Sequence, residues 1–240
     1  MKRLILLSMA SAMALLTVSC GKDPGSSTAK IPDEAVDLGI VMTREDGTTY
    51  KLYWAKSNLD TGGLCANPED LGGYFAWGET EAKSDYSWAT YKFGKNSSGP
   101  FSKYNTLSFN GPVDNLTTLQ TGPEGDDVAS KLLGGKWRMP SRAEWNELRA
   151  KCKWTWEQQK GVGGCLVTAS NGNSIFLPGA GFGNGTSTPT TSSFGNYWSS
   201  SLYTEGPEYA WLYSFNSSPQ FYEAGGQRYR GMSVRPVYEE

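Results

Sequence analysis

From Ser57 to Pro123 the chain shows neither the 3.6-residue apolar period of a helix nor the sustained alternation of a strand. The segment carries Gly72-Gly73-Tyr74-Phe75-Ala76-Trp77-Gly78-Glu79 and many further Tyr, Ser and Asn residues. An irregular stretch of that length within a folded domain has no hydrogen-bonded ladder of its own, so its order must come from its aromatics. Composition agrees. In 240 residues, 29 Gly, 13 Tyr and nine Trp, with 38% hydrophobic and 19% charged content, point to a loop-rich, aromatic-rich β fold of globular composition.

Regular elements flank this segment. Asp33 to Ala55 holds two alternating runs separated by Glu45-Asp46-Gly47, which predicts a β-hairpin. Asp126 or Asp127 can cap a short helix with Val128, Leu132 and Leu133 on its apolar face and Gly134-Gly135 at its end. Ser141-Arg142-Ala143-Glu144 reads as a capping box opening a second helix, with Trp145, Leu148 and Cys152 on one face; Glu144 is thus a capping residue, not a catalytic acid. From Cys152 onward the pattern is β. Cys165–Ala169 and Ser174–Leu177 flank Ser170-Asn171-Gly172-Asn173, where Asn-Gly suits the positive φ of a tight hairpin turn. Phe182 to Phe194 reads as a surface loop.

The first residues read as an export signal. Lys2 and Arg3 precede an uncharged apolar run, Leu4 to Val18, which at about fifteen residues is too short to span a bilayer comfortably. Leu16-Thr17-Val18-Ser19-Cys20 is similar to a bacterial lipobox, so residues 1–19 are expected to be a lipoprotein signal peptide and Cys20 the lipidated residue. Residues 20–32 then form a flexible tether, and 33–240 a single domain held to an outer membrane, on the cell surface. Cys65, Cys152 and Cys165 remain. Their odd number leaves at least one thiol free; Cys152 and Cys165 are the candidate disulfide because a short loop separates them, and three buried thiols is the other reading.

The chain contains no histidine, which removes Ser-His-Asp and Cys-His nucleophiles, histidine-ligated zinc and histidine acid–base catalysis together. A net charge of −2 provides no basic field for a phosphate backbone, so nucleic acid is not an expected partner. No metal site and no cofactor is expected. Aromatics crowd between Tyr197 and Arg230. Alternation places Trp211, Tyr213 and Phe215 on one strand face and Leu212 and Ser214 on the other, with Trp198, Trp211, Tyr213 and Phe215 expected in the core. Tyr203, Tyr209, Phe221, Tyr229 and Arg230 lie in turn-like sequence and are candidates for an exposed recognition surface.

Six motifs occur in order: Val36-Asp37-Leu38-Gly39, Gly73-Tyr74-Phe75-Ala76-Trp77-Gly78-Glu79, Gly135-Lys136-Trp137-Arg138-Met139-Pro140-Ser141-Arg142-Ala143-Glu144-Trp145, Asn173-Ser174-Ile175-Phe176-Leu177-Pro178-Gly179-Ala180-Gly181, Tyr197-Trp198-Ser199-Ser200-Ser201 and Ser233-Val234-Arg235-Pro236-Val237. Together they resemble the Fibrobacter succinogenes major paralogous domain across Asp33 to Glu240. The resemblance implies an α+β, C-type-lectin-like fold, with two short helices packed on antiparallel sheet and N- and C-terminal strands paired. It also implies a surface lipoprotein of a Bacteroidetes-type bacterium. Residues 137–140 resemble the matching part of formylglycine-generating enzymes of this fold, whose closely spaced cysteine pair is missing here. In relatives with a variable C-terminal segment, the ligand-facing positions would correspond to Tyr203, Glu208, Tyr209, Leu212, Ser214, Phe221, Glu223, Tyr229 and Arg230, with Arg228 and Gly231 as framework. The calcium motifs of sugar-binding lectins are missing, and a capped helix start accounts for Glu124, Asp126 and Asp127.

The expected function is a non-catalytic, surface-anchored binding module that grips a glycan, peptide or cell-surface protein through its aromatic C-terminal face. A histidine-independent glycan hydrolase would need two paired carboxylates, for which Glu79, Glu81, Glu205 and Glu208 are the available acids. A structural cell-surface subunit is the third reading; it would present an exposed sheet edge or a donor strand.

Overall fold

A computed structural model describes residues 30–187, 193–218 and 220–240. The expected signal peptide, Cys20 and most of the expected tether lie outside the described residues. Part of the predicted loop after Phe182 does as well. Ile31–Glu240 gather into one compact unit.

The predicted N-terminal hairpin is present as β1 (Ala35–Thr43) and β2 (Thr49–Ala55), closed by Arg44 N donating to Thr48 O at 2.8 Å. A bulge falls between Asp37 and Ile40, where Gly39 takes φ 69° and its N–H is accepted by the Asp37 carboxylate at 2.8 Å. A minute hairpin, β3 (Leu59–Asp60) with β4 (Gly63–Leu64), follows. No strand is then described until β5 (Trp137–Arg138). Both predicted helices form. In α1 (Val128–Leu133) the Asp127 side chain accepts from Ser130 N; in α2 (Arg142–Lys151) both bonds of the Ser141/Glu144 capping box are made. The second half supplies β6 (Lys153–Gln159), β7 (Val162–Thr168), β8 (Ser174–Pro178), β9 (Phe194–Leu202), β10 (Tyr209–Asn216), β11 (Phe221–Gln227) and β12 (Val237–Glu239). The Asn171-Gly172 turn joins β7 and β8 as expected, with Gly172 at φ 88°.

The strands make antiparallel sheets in the orders β1-β2-β12-β5, β11-β10-β9 and β6-β7-β8. The fold is therefore α+β and sheet-rich with few helices. The last strand enters the N-terminal sheet between β2 and β5, not beside β1.

Two cores lie on opposite faces of the β9-β10-β11 sheet. On one side, Leu212 and Trp198 pack with Met232 and the rings of the irregular segment: Phe75, Trp77, Tyr86, Tyr91, Phe93 and Tyr104. On the other, Tyr213 and Phe215 pack with Tyr197, Trp145, Leu148 and Trp54, the Trp145 and Tyr213 rings stacking at 5.2 Å. Covering both faces corrects two expectations. Leu212 and Ser214 are buried and cannot face a ligand, because the sheet side opposite Tyr213 is roofed by the aromatic segment instead of meeting solvent.

Two buried arginines lock this arrangement. Arg228, at the end of β11, donates to the Tyr91 hydroxyl and to the carbonyls of Lys103, Tyr104 and Pro207. Arg235 donates to Asn58 Oδ1 and to the carbonyls of Ala55 and Phe176; burial lowers its pKa to about 10. Charge without a carboxylate partner is costly inside a protein, so these guanidinium groups persist only because neutral acceptors take up their N–H groups.

Glu144 does more than cap. Its carboxylate is fully buried, takes Arg138 at 2.8 and 2.5 Å, and accepts from the Tyr50 hydroxyl at 2.8 Å. Burial by itself would raise its pKa, but Arg138 and the Ser141 N–H hold it below the ordinary value. Cys152 and Cys165 are both free thiols, so the candidate disulfide is not formed. Each packs as a small apolar side chain in the second core, and burial raises them to about 11 and 12.

Candidate functional site

The turn from β9 to β10 is tight. Tyr203 N donates to Tyr209 O at 3.2 Å and Tyr209 N to Gly206 O at 2.9 Å, which sets the two tyrosine rings edge to face at 6.3 Å. Tyr203 also lies 4.7 Å from the Trp211 ring, and the Arg142 guanidinium covers Trp211 at 3.6 Å. Trp211 was expected in the core and is instead only partly buried. The cause is a register shift: β9 spends Ser199, Ser200 and Ser201 between the pairs Trp198↔Leu212 and Leu202↔Ala210, where β10 spends only Trp211. Ser199 Oγ donates to Trp211 O at 2.8 Å and fixes the irregularity. Across the other ladder Trp211 faces Gly225, which has no side chain to cover the indole.

Arg142 is the first residue of α2, and its N–H is accepted by Ser201 Oγ at 3.1 Å. Its side chain forks onto Glu223 of β11 at 2.8 and 2.5 Å; Asn146 Nδ2 adds a third bond to that carboxylate at 3.2 Å, and the Tyr213 hydroxyl donates to Asn146 Oδ1. Hydrogen bonding to Arg142 leads the effects that hold Glu223 below the usual carboxylate range. A groove of about 480 Å³ opens beside this network, lined by Thr117, Thr118, Arg142, Ser201, Thr204 and Trp211 among others.

The nine expected ligand-facing residues therefore separate. Tyr203, Tyr209 and Glu223 converge with Trp211 and Arg142. Glu208 is half-buried at the turn, its carbonyl accepting from Arg228 N at 3.1 Å. Phe221 packs on Trp154 at 4.4 Å, Tyr229 on Trp88 at 5.0 Å, and Arg230 on Phe182 at 4.9 Å, so these three belong to other surfaces. Leu212 and Ser214 are internal. Arg142 and Trp211 were missed because helix capping and strand alternation account for them adequately in sequence; the Ser199-Ser200-Ser201 run was the available signal of an irregular strand.

Of the acids considered for hydrolysis, Glu79 has both oxygens on Lys83, at 2.9 and 2.8 Å, and accepts Lys92 N at 2.8 Å. Asp127, which burial raises to about 6, is committed to the N–H groups of Ser130 and Met139. Among the described residues no group of three or more Cys, Asp or Glu is placed to hold a metal ion, and no helix is long and apolar enough to cross a membrane. No family model, curated protein or solved structure matches the chain.

Proposed function

We propose that this chain is a surface-anchored, non-catalytic binding module of the Fibrobacter succinogenes major paralogous domain type, built on a C-type-lectin-like fold. It engages a glycan, peptide or cell-surface protein through the face formed by Tyr203, Tyr209, Trp211 and Arg142. The observation that carries this reading is Trp211: a large ring left partly exposed by a bulge, opposite a glycine, in a strand whose next four residues are all buried. Rigid aromatic and arginine side chains held by packing lose little entropy when a partner docks, which is why such groups dominate recognition surfaces. The family reading draws support from where its motifs fall. Trp198, Ser233, Val234, Arg235 and Val237 are buried framework, and Trp137 to Glu144 tie the C-terminal strand to α2. Lipid on Cys20 would hold the domain to the outer membrane with residues 21–32 as tether.

Alanine at Tyr203 and Tyr209 together is expected to abolish binding of the purified chain to arrays of bacterial and host glycans and surface proteins while leaving the melting temperature within a few degrees. Undiminished binding by a folded variant would overturn the reading.

A further inference from the structure

We infer that the groove beside Trp211 takes an uncharged saccharide. This rests on the reading of that face as a docking surface and adds the chemistry of what docks.

The edge of β9 beside the groove is already paired. Leu202 N donates to Thr117 O at 2.8 Å, Leu119 N to Ser200 O at 2.9 Å, and Ser200 N to Pro140 O at 2.8 Å, so the outer edge of β9 is closed to an added peptide strand. What remains uncommitted is side-chain chemistry. Thr117, Thr118 and Thr204 are exposed, and their hydroxyls make no hydrogen bond among the described residues. The Trp211 indole N–H and Arg142 Nη1 likewise have no acceptor among them. Three hydroxyls and two N–H donors beside an aromatic edge match a polyhydroxylated ring, which offers both donors and acceptors along its rim.

Charge argues for a neutral ligand. The Arg142 guanidinium is neutralised by its fork onto Glu223, and the neighbouring turn adds the carboxylates of Glu205 and Glu208, which an anionic polymer would have to meet.

The test uses the full chain labelled with 15N, following the Trp211 indole N–H resonance, assigned by its loss in Trp211→Phe. Probes are neutral gluco-, manno-, xylo- and galacto-oligosaccharides, an acidic galacturonan oligomer, and a random peptide library. The inference expects a neutral oligosaccharide to shift the resonance, and the triple variant Thr117→Val, Thr118→Val, Thr204→Val to weaken that binding at least tenfold. These exposed isosteric changes leave the core untouched, and an unchanged amide spectrum elsewhere verifies the fold. If only the galacturonan or peptides shift Trp211, or the triple variant binds the neutral sugar as well as the parent, the saccharide inference falls while the docking face stands. If no probe shifts Trp211 and the array experiment above is also blank, both fall.

Discussion

Arg228 Nε donates to the Tyr91 hydroxyl oxygen at 2.8 Å, and Tyr91 in turn donates its own O–H to the Trp77 carbonyl at 2.8 Å. This relay joins the end of β11 to the segment that has no ladder of its own. The rings of Trp77, Tyr91, Phe93, Phe101 and Tyr104 surround the guanidinium at 5.0 to 6.0 Å, so the cation sits among negative ring faces instead of beside a carboxylate.

That geometry makes Arg228 the pin of the irregular region. Arg228→Met keeps much of the volume but strands the carbonyls of Lys103, Tyr104 and Pro207, and should cost at least ~3 kcal/mol, since each buried acceptor left unpaired costs about 1–3 kcal/mol. Arg228→Lys should fare little better, because one compact ammonium cannot span four separated acceptors. Urea unfolding midpoints decide the point. A loss under about 1 kcal/mol for either variant would mean that the rings hold the segment unaided.

Much of this fold was legible beforehand, and the failures are instructive. The hairpins at Gly47 and Gly172 and the caps at Asp127 and Ser141 are local devices, in which a few neighbouring residues specify the geometry, so sequence sufficed. Order in the Ser57–Pro123 region was correctly assigned to aromatics, but nothing local announces that the plug is an arginine more than a hundred residues away. Alternation separated Leu212 and Ser214 from Tyr213 and Phe215 correctly. What it cannot state is how many layers cover a strand, which is why two ligand positions proved to be core. Trp211 failed differently: a bulge on the partner strand changed its surroundings while its own strand pattern stayed regular. The candidate site was thus half legible, through Tyr203, Tyr209 and Glu223.

Asp127 imposes a pH dependence opposite to that of the other buried carboxyls. Its folded pKa, about 6, lies above the model-peptide value of 3.8, so the folded chain holds the proton more tightly. Its contribution is present in full below about pH 4 and is lost as pH rises through about 6, a change of about 3 kcal/mol. Asp127→Asn keeps an oxygen to accept from Ser130 and Met139 but cannot ionise. Relative to the parent, this variant should therefore gain stability between pH 4 and pH 7. Denaturant midpoints of both proteins at the two pH values test this, and the contributions of Glu144 and Asp126, which run the other way, cancel in the difference. A constant offset would show that Asp127 does not titrate in this range.

The three thiols should differ in accessibility. Cys65 lies where two open grooves meet at Leu64–Ala66, whereas Cys152 and Cys165 are enclosed by the second core. Alkylation followed by mass spectrometry should modify Cys65 slowly in the native chain, slowly because burial and the carboxylates of Asp60 and Asp70 raise its thiol to about 11. Cys152 and Cys165 should react only after unfolding, without any reductant. Resistance of that pair in denaturant until reductant is added would reveal a disulfide and revise the packing of α2 against β7.

Gly225 gives the cleanest separation of recognition from stability. It lies in β11 opposite Trp211, is exposed, and a Cβ built on it meets Tyr209 and Tyr203 at 3.4 to 3.6 Å, ordinary contact distances. Gly in a strand interior costs roughly 0.5–1 kcal/mol relative to Ala, so a side chain there should stabilise the fold by about that amount. The same side chain would press on Tyr203 and Tyr209, two rings of the proposed docking face. Gly225→Val is therefore expected to raise the melting temperature slightly and to lower binding at the Tyr203–Trp211 face at least tenfold. Such a pairing follows only if the glycine is kept to leave Tyr203 and Tyr209 free for a partner; a variant that is more stable and binds equally well would assign the glycine no part in recognition, and one that unfolds would mean the strand cannot accommodate a branched side chain at that position.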